Sequence, residues 1–169
     1  MISFYALTEE LLVLLDTLGE KGISFSIFEQ SKDSAIAKYL DSKKGFRQVL
    51  SDLSKEYSSL KLPKGYVAYD RDTIVKRIWQ FFEEKKNCVL KASFGESGWG
   101  IYQFRLEDYS TLEVLSNMVG RVINSDTIWN FQEYIIEELI DIDVTISGGS
   151  PSVELFVSDS AVTITYSCE

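Results

Sequence analysis

Hydrophobic positions near the start of the chain predict a strand, a helix and a second strand. Residues 2–6 are rich in β-branched and aromatic residues, and residues 23–28 alternate between apolar and polar positions, which is the two-residue spacing of a strand. Between them, Thr8 is a candidate N-cap for a helix whose apolar face is formed by leucines at positions 11, 12, 14, 15 and 18. The order predicts a βαβ unit with a parallel strand pair.

The middle of the chain alternates between helical and strand patterns. Residues 31–62 are expected to be helical, with Gly45 as a candidate interruption, and Pro63 lies in a turn before a strand at 66–69. Asp70 or Asp72 is expected to cap a helix that runs to about residue 86. A strand at 88–91, a polar loop, a strand at 101–106 and a helix at 110–122 follow.

The last third of the sequence predicts only strands. Residues 129–136, 144–147, 152–157 and 161–166 have strand composition or alternation, and turns are expected at 148–151 and 158–160. Together the patterns predict an α/β (α+β) fold. The chain ends soon after a strand, which led us to expect a fragment or a truncated relative.

Composition excludes several kinds of chemistry. The 169 residues include no histidine, which removes histidine general bases, Ser-His and Cys-His nucleophile pairs and histidine-ligated zinc. The two cysteines, Cys88 and Cys168, have no metal-ligand spacing and are expected to be reduced thiols of a cytoplasmic protein. No apolar run approaches the ~20 residues of a membrane span, so no membrane partner is expected.

Charge is distributed unevenly along the chain. The net charge is −9, which argues against nucleic acid as a partner. All 17 basic residues lie at or before Arg121, and the nine acids from Asp126 onwards have no basic residue among them. Such a segment is consistent with carboxylates that bind a divalent cation, and equally with an acidic surface covered by another part of the molecule.

The stretch from Lys91 to residue 101 is the strongest candidate for chemistry. Three of the ten glycines, at positions 95, 98 and 100, follow a strand that ends with this lysine. Backbone amides and serines in such a loop suit phosphate oxygens, although a plain glycine-rich hairpin has the same pattern. Trp99 either folds over a ligand or anchors the hairpin.

Two further segments could contribute to the same site. Residues 135–140 form an apolar strand that ends in Glu137 and Glu138, which suits an adenine slot and equally a strand end with solvated acids. Lys43 and Lys44 begin a locally basic segment.

The order of these motifs resembles the ATP-grasp superfamily. The matching features are Lys43 or Lys44, the turn at Pro63, Lys91 with its Gly/Ser loop, and the hinge Glu137-Glu138-Leu139-Ile140. Biotin carboxylase and the large subunit of carbamoyl-phosphate synthetase are the most similar in pattern, and D-alanine–D-alanine ligase is similar more loosely. The resemblance covers roughly residues 41–166.

The resemblance implies a role for each matching residue. Phosphate binding would involve Lys91, Lys43 or Lys44, and the loop residues Ser93, Ser97, Gly98 and Gly100. Glu137 would accept a hydrogen bond from the adenine amino group. The hinge residues Glu138, Leu139 and Ile140 would complete the base slot, and Asp143 stands where the family has a ribose-contacting glutamate.

The resemblance also implies a domain organisation. Residues 1–40 would be the end of a Rossmann-like unit, residues 41–65 a helical connector, residues 66–140 the small ATP-grasp subdomain, and residues 141–169 the start of an antiparallel sheet subdomain. The metal-binding segment of the family has no counterpart, so magnesium is expected only in a longer protein.

The implied function is ATP binding in a carboxylate–amine or carboxylate–thiol ligase that forms an acyl-phosphate. This chain is expected to bind nucleotide without completing ligation, and its carboxylate and amine substrates are not identified. The alternative is a non-catalytic interaction or assembly module with the same fold. A homo-oligomer is left open, and a plain α/β scaffold whose glycine loop is only a hairpin is the third possibility.

Overall fold

The computed structural model describes residues 9–25, 34–95, 97–131, 133–142, 145, 152–157 and 161–168. Within them, five helices and six strands are formed, together with 3₁₀ helices at Leu106–Asp108 and Thr127–Phe131. The helices are α1 Glu9–Glu20, α2 Ser34–Asp41, α3 Lys43–Glu56, α4 Arg71–Glu83 and α5 Leu112–Ile123. The strands are β1 Gly65–Ala68, β2 Cys88–Ala92, β3 Ile101–Phe104, β4 Tyr134–Glu138, β5 Ser152–Val157 and β6 Val162–Cys168.

The chain divides into two compact units. One comprises Tyr39–Ile140, and the other comprises Met1–Lys38 with Asp141–Glu169. In the second unit, β5 and β6 form a two-stranded antiparallel sheet with an irregularity between Glu154 and Leu155. The first unit contains the four-stranded sheet and every candidate site residue except Asp143, which lies outside the described residues.

The four-stranded sheet has the order β1-β4-β2-β3, with antiparallel pairing throughout. β4 therefore lies in the middle although it is last in sequence, because it pairs with β1 on one side and with β2 on the other. In this register Glu137 stands opposite Gly65 in β1 and opposite Val89 in β2. The hinge residues are thus brought beside the strand that carries Lys91.

One face of this sheet packs against α4 and α5. Alternate strand residues such as Leu90, Phe104 and Ile136 are fully buried there. The helices contribute their apolar stripes, which match the predicted spacing: Ile74, Val75, Ile78, Phe81 and Phe82 from α4, and Leu115, Val119 and Val122 from α5.

Helix starts are set by side-chain caps. The Asp70 carboxylate accepts the backbone N–H of Thr73 at 2.7 Å, so Asp70 rather than Asp72 caps α4. Thr111 caps α5 in the same way through the N–H of Val114. The buried thiol of Cys88 is free, and burial raises its pKa to about 12.

The helical segment after residue 31 differs from the prediction. The break falls at Ser42, whose hydroxyl accepts the N–H of Gly45 and so caps α3, and Gly45 lies inside that helix. A Cβ at Gly45 would lie 1.9 Å from the carbonyl oxygen of Tyr39, so glycine permits the close approach of α2 and α3. α3 ends at Glu56 instead of residue 62.

The predicted strand at 129–136 is also partly wrong. Residues up to Phe131 belong to a 3₁₀ helix, and the strand begins at Tyr134. Trp129 is buried beside Tyr134, whose hydroxyl donates to the Trp129 carbonyl at 2.8 Å. Tertiary packing of an aromatic pair therefore overrides the local strand propensity of these residues.

Part of the N-terminal prediction lies outside the described residues. α1 matches the expected helix, whereas the expected strand at 2–6 and most of the one at 23–28 are not described, and residues 23–25 form no strand. The expected strand at 144–147 lies outside the description except for Thr145, which is in a turn. β5 and β6 confirm the last two predicted strands. Helices with antiparallel sheet confirm the mixed α/β class.

Candidate functional site

The second face of the four-stranded sheet carries the candidate site. Side chains alternate across a strand, so Lys91 follows the buried Leu90 and points to the other face, and Glu137 follows the buried Ile136. We call this surface, with Lys43, Lys44 and Arg47 of α3 and the loop at residues 93–100, the charged face.

Lys91 and Glu137 form an ion pair on the charged face. The Lys91 ammonium donates to Oε2 of Glu137 at 2.5 Å, and Arg47 of α3 donates to Oε1 at 2.6 Å. The Glu137 side chain is only 12% exposed, against 28% for Lys91. Two cations thus hold one nearly buried carboxylate, so the local charge is positive and suits an anionic ligand.

Arg47 also fixes the start of β1. Its second guanidinium nitrogen donates to the carbonyl of Pro63 at 2.8 Å. A Cβ at Gly65 would lie 2.7 Å from the guanidinium carbon, so a larger residue at this position would displace the Arg47 guanidinium. The predicted proline turn is therefore linked to the hinge by Arg47, which bonds to both.

Lys44 makes a second contact between α3 and the sheet. Its ammonium donates to Glu133 at 2.8 Å and lies 5.3 Å from the centre of the Tyr69 ring. The hydrogen bond to Glu133, followed by the contact with Tyr69, raises the pKa of Lys44 above its usual value. The other Glu133 oxygen lies 3.4 Å from the hydroxyl of Ser93, a long hydrogen bond.

Lys43 connects α3 to the glycine loop. Its backbone N–H donates to the carbonyl of Ser93 at 2.8 Å, and its ammonium donates to the carbonyl of Gly95. The structure therefore brings both candidate lysines of α3 to the base of the loop. Lys43 contacts loop carbonyls, and Lys44 contacts a carboxylate.

Backbone geometry explains the glycines of the loop. Gly98 and Gly100 have φ values of +84° and +73°, and Ser97 shares the left-handed region at +50°. A Cβ at Gly95 would lie 2.1 Å from the carbonyl oxygen of Trp99. The N–H of Ala92 donates to the carbonyl of Gly100 at 2.7 Å and closes the loop.

Trp99 is 52% exposed at the tip of the loop. Its indole N–H donates to the Asp126 carboxylate at 3.2 Å. Hydrogen bonds from the N–H of Ile128 and then from Trp99 hold the pKa of Asp126 below its usual value. The indole is therefore attached to the protein at its polar edge while half of its surface remains available to a ligand.

The hinge uses part of its backbone internally. The N–H of Glu138 donates to the backbone carbonyl of Lys64, and the N–H of Leu139 donates to the backbone carbonyl of Asn87, both at 2.9 Å. The Glu138 carboxylate pairs with Lys86 at 2.9 Å, and Ile140 is exposed. These contacts fix the direction in which the chain leaves β4.

The sequence prediction missed Arg47 and Glu133 as site residues. Both had a periodic signal: Arg47 lies one helical turn after Lys43 and Lys44, and Glu133 shares the two-residue spacing of Ile135 and Glu137. Both residues become part of the site only because α3 packs beside β4. That packing depends on the tertiary structure and has no local sequence signal.

The described residues contain neither a cluster of metal ligands nor a membrane-spanning helix. Among the described residues, no group of three or more aspartate, glutamate or cysteine side chains is arranged to hold a metal ion. No helix in the described part of the chain is long and apolar enough to cross a membrane.

Comparisons with known proteins identify the fold. No family model matches the sequence, and no curated protein sequence matches it significantly. The structure is similar to that of D-alanyl-alanine synthetase A from Vibrio cholerae, with a TM-score of 0.58 at 10% sequence identity. The match covers 96% of this chain and 41% of that chain, so this chain spans less than half of the synthetase's length.

That synthetase is an ATP-grasp ligase, so the chain has an ATP-grasp-like fold. The predicted resemblance to ATP-grasp proteins agrees with this similarity in fold alone. The predicted closer likeness to biotin carboxylase and carbamoyl-phosphate synthetase stays a prediction.

Proposed function

We propose that this chain binds ATP on the charged face, as the nucleotide-binding part of an ATP-grasp ligase. The observation that carries the proposal is the partly buried Lys91–Glu137 ion pair at 2.5 Å, which lies on a sheet face of an ATP-grasp-like fold. Lys91 and Lys43 would bind phosphate oxygens, and the loop amides at Ser97, Gly98 and Gly100 would donate to them. Glu137 would bind the adenine amino group.

Binding requires rearrangement of existing contacts. Glu137 already accepts from Lys91 and Arg47, so ATP would draw Lys91 towards its phosphates while Arg47 keeps the carboxylate compensated. The Lys43 ammonium would likewise exchange the Gly95 carbonyl for a phosphate oxygen. The site would therefore gain charge-assisted hydrogen bonds without leaving a carboxylate unpaired.

The proposed reaction of the whole protein is carboxylate activation. A carboxylate oxygen attacks the γ-phosphorus of ATP, the bond to the β-phosphate oxygen breaks, and ADP leaves. An amine or thiol then attacks the acyl carbon and displaces phosphate. The described residues form no magnesium cluster, so we assign no step of this reaction to a metal.

A titration with nucleotide tests the proposal. ATP and ADP should raise the melting temperature of the wild-type chain in a saturable way, because a ligand that binds only the folded state stabilises it. Lys91→Met should weaken binding by at least about tenfold, which is the loss of one charge-assisted hydrogen bond. Calorimetric titration would give the same dissociation constants independently.

Lys55→Met is the matched control. Lys55 is an exposed lysine of α3 that pairs with Asp52 within the same helix, so its removal changes charge equally without touching the charged face. The proposal would be refuted if the wild type did not bind nucleotide. It would also be refuted if the Lys91→Met and Lys55→Met variants bound nucleotide with equal affinity.

A second candidate is a non-catalytic assembly module. It is favoured by the exposed branched side chains on β5 and β6, namely Val153, Leu155, Val162 and Ile164. A wild-type chain that ignores ATP but associates with itself in analytical ultracentrifugation would support this function instead.

A further inference from the structure

An open groove of about 860 Å³ lies between α3 and the segment at residues 60–69. All of its lining residues belong to the Tyr39–Ile140 unit. Its size falls within the range of about 300–1,000 Å³ that small-molecule sites occupy. The groove therefore has the dimensions of a ligand site.

One wall of the groove is a polar stripe on α3. Lys44, Arg47, Ser51 and Ser54 follow one another at intervals of three or four residues, which places them on one side of a helix. The apolar residues Phe46 and Leu53 of the same helix are exposed and are not part of the lining. The Ser54 hydroxyl donates to the Ser51 carbonyl at 2.8 Å, so the stripe presents the donors of Lys44, Arg47 and Ser51 to the groove.

The opposite wall adds two more cations. Lys61 and Lys64 line it together with Pro63 and the aromatic ring of Tyr69. Four basic side chains thus surround the groove, and none of its lining residues is an aspartate or glutamate. This is unusual in a chain with 26 acidic and 17 basic residues.

The partners of these cations show which of them a ligand could engage directly. Lys44, Arg47 and Lys64 pair with Glu133, Glu137 and Glu84, three carboxylates outside the lining. Lys61 and the hydroxyl of Ser58 make no hydrogen bond or ion pair with any residue that the structure describes. The groove therefore has donors to offer without breaking an existing contact.

We propose that this groove is a second anion-binding site, which takes a small molecule carrying several phosphate charges. It adjoins the charged face through Lys44 and Arg47, whereas Ser51, Ser58 and Lys61 belong to the groove alone. A phosphate group accepts several hydrogen bonds at once, so the mixture of ammonium, guanidinium and hydroxyl donors suits it. This proposal does not depend on ATP binding at Lys91.

Inorganic tripolyphosphate is the probe for this site. Calorimetric titration at about 150 mM ionic strength, where weak surface attraction is largely screened, should show saturable binding to the wild type. Lys61→Glu and Ser51→Glu should each weaken it by at least about tenfold, because each adds a carboxylate to the lining. Lys55→Glu, on the same helix outside the lining, should leave the affinity unchanged.

The Lys91→Met variant separates the groove from the charged face. Tripolyphosphate binding that depends on Lys61 should persist in this variant. Binding that disappears with Lys91→Met but survives Lys61→Glu would overturn the proposal, because it would place the anion on the charged face. Equal affinity for tricarballylate, which carries three carboxylates, would overturn the assignment to phosphate.

Discussion

The two faces of the four-stranded sheet are built from neighbouring residues of the same strands, yet they differ in the contacts that hold them. On one face Leu90 and Ile136 are fully buried under α4 and α5. On the other face their neighbours Lys91 and Glu137 form an ion pair that Arg47 extends to α3, beside the buried side chains of Val89 and Ile135. One face is held by burial of apolar surface, and the other combines such burial with directional polar contacts.

The two faces are expected to contribute unequally to the free energy of unfolding. Apolar burial contributes about 25 cal/mol per Å², so several fully buried aliphatic side chains dominate the energy. Partly buried ion pairs contribute little, because desolvation offsets most of their attraction. The charged face is thus poorly explained by stability, and that is why we assign it to ligand binding.

Substitutions of two adjacent residues of β2 should show the largest difference in stability between the two faces. Leu90→Ala should lower the free energy of unfolding by about 2–5 kcal/mol, since it leaves a cavity in the core. Lys91→Met should cost about 1 kcal/mol or less, because Glu137 keeps its bond to Arg47. Urea denaturation followed by circular dichroism would measure both.

The same two substitutions should affect ATP affinity in the opposite order. The folded fraction of the Leu90→Ala variant should keep the wild-type affinity for ATP, whereas the Lys91→Met variant should bind ATP at least about tenfold more weakly. If the Lys91→Met variant were as unstable as the Leu90→Ala variant, the assignment of stability to one face and ligand binding to the other would be contradicted.

Substitutions of two loop glycines, Gly95 and Gly98, are expected to lower stability by different amounts. At Gly95 a Cβ would meet backbone at 2.1 Å, whereas at Gly98 a Cβ meets no atom within 4 Å and only the positive φ is strained. Gly98→Ala should therefore cost about 1 kcal/mol, and Gly95→Ala should cost more because the loop must move. Thermal denaturation of the two variants would measure the order, and a larger loss at Gly98 would contradict the loop geometry.

The smallest expected effect concerns the cap of α4. Hydrogen bonds from the backbone N–H and then the hydroxyl of Thr73 hold the pKa of Asp70 below its usual value. The carboxylate therefore stabilises the fold above the pKa of the unfolded chain, and this contribution is lost as pH falls through the folded pKa. Asp70→Asn keeps a capping oxygen but should remove this dependence.

The measurement is the melting temperature of both proteins between pH 7 and pH 3. The wild type should lose more stability than the Asn variant over that range, since all other carboxylates are the same. Parallel curves would show that Asp70 does not contribute through its charge.

Periodicity predicted the elements on the core face well, for a local reason. The apolar stripes of α4 and α5 depend on residues three or four positions apart, and burial followed them. Prediction failed at residues 129–131, where the stacking of Trp129 on Tyr134 imposed a 3₁₀ turn on residues of strand propensity. It also placed the helix break at Gly45 instead of Ser42, since only packing against Tyr39 shows why that glycine is required.

The chemical groups available to this protein follow from its sequence: a lysine before a glycine loop, a pair of glutamates after an apolar strand, and no histidine. Which of these groups meet depends on strand pairing in the folded chain. β4 enters the sheet between β1 and β2, and this pairing places Glu137 within reach of both Lys91 and Arg47. Pairing between residues 46 and 90 positions apart depends on the burial of the whole core, which no local pattern encodes.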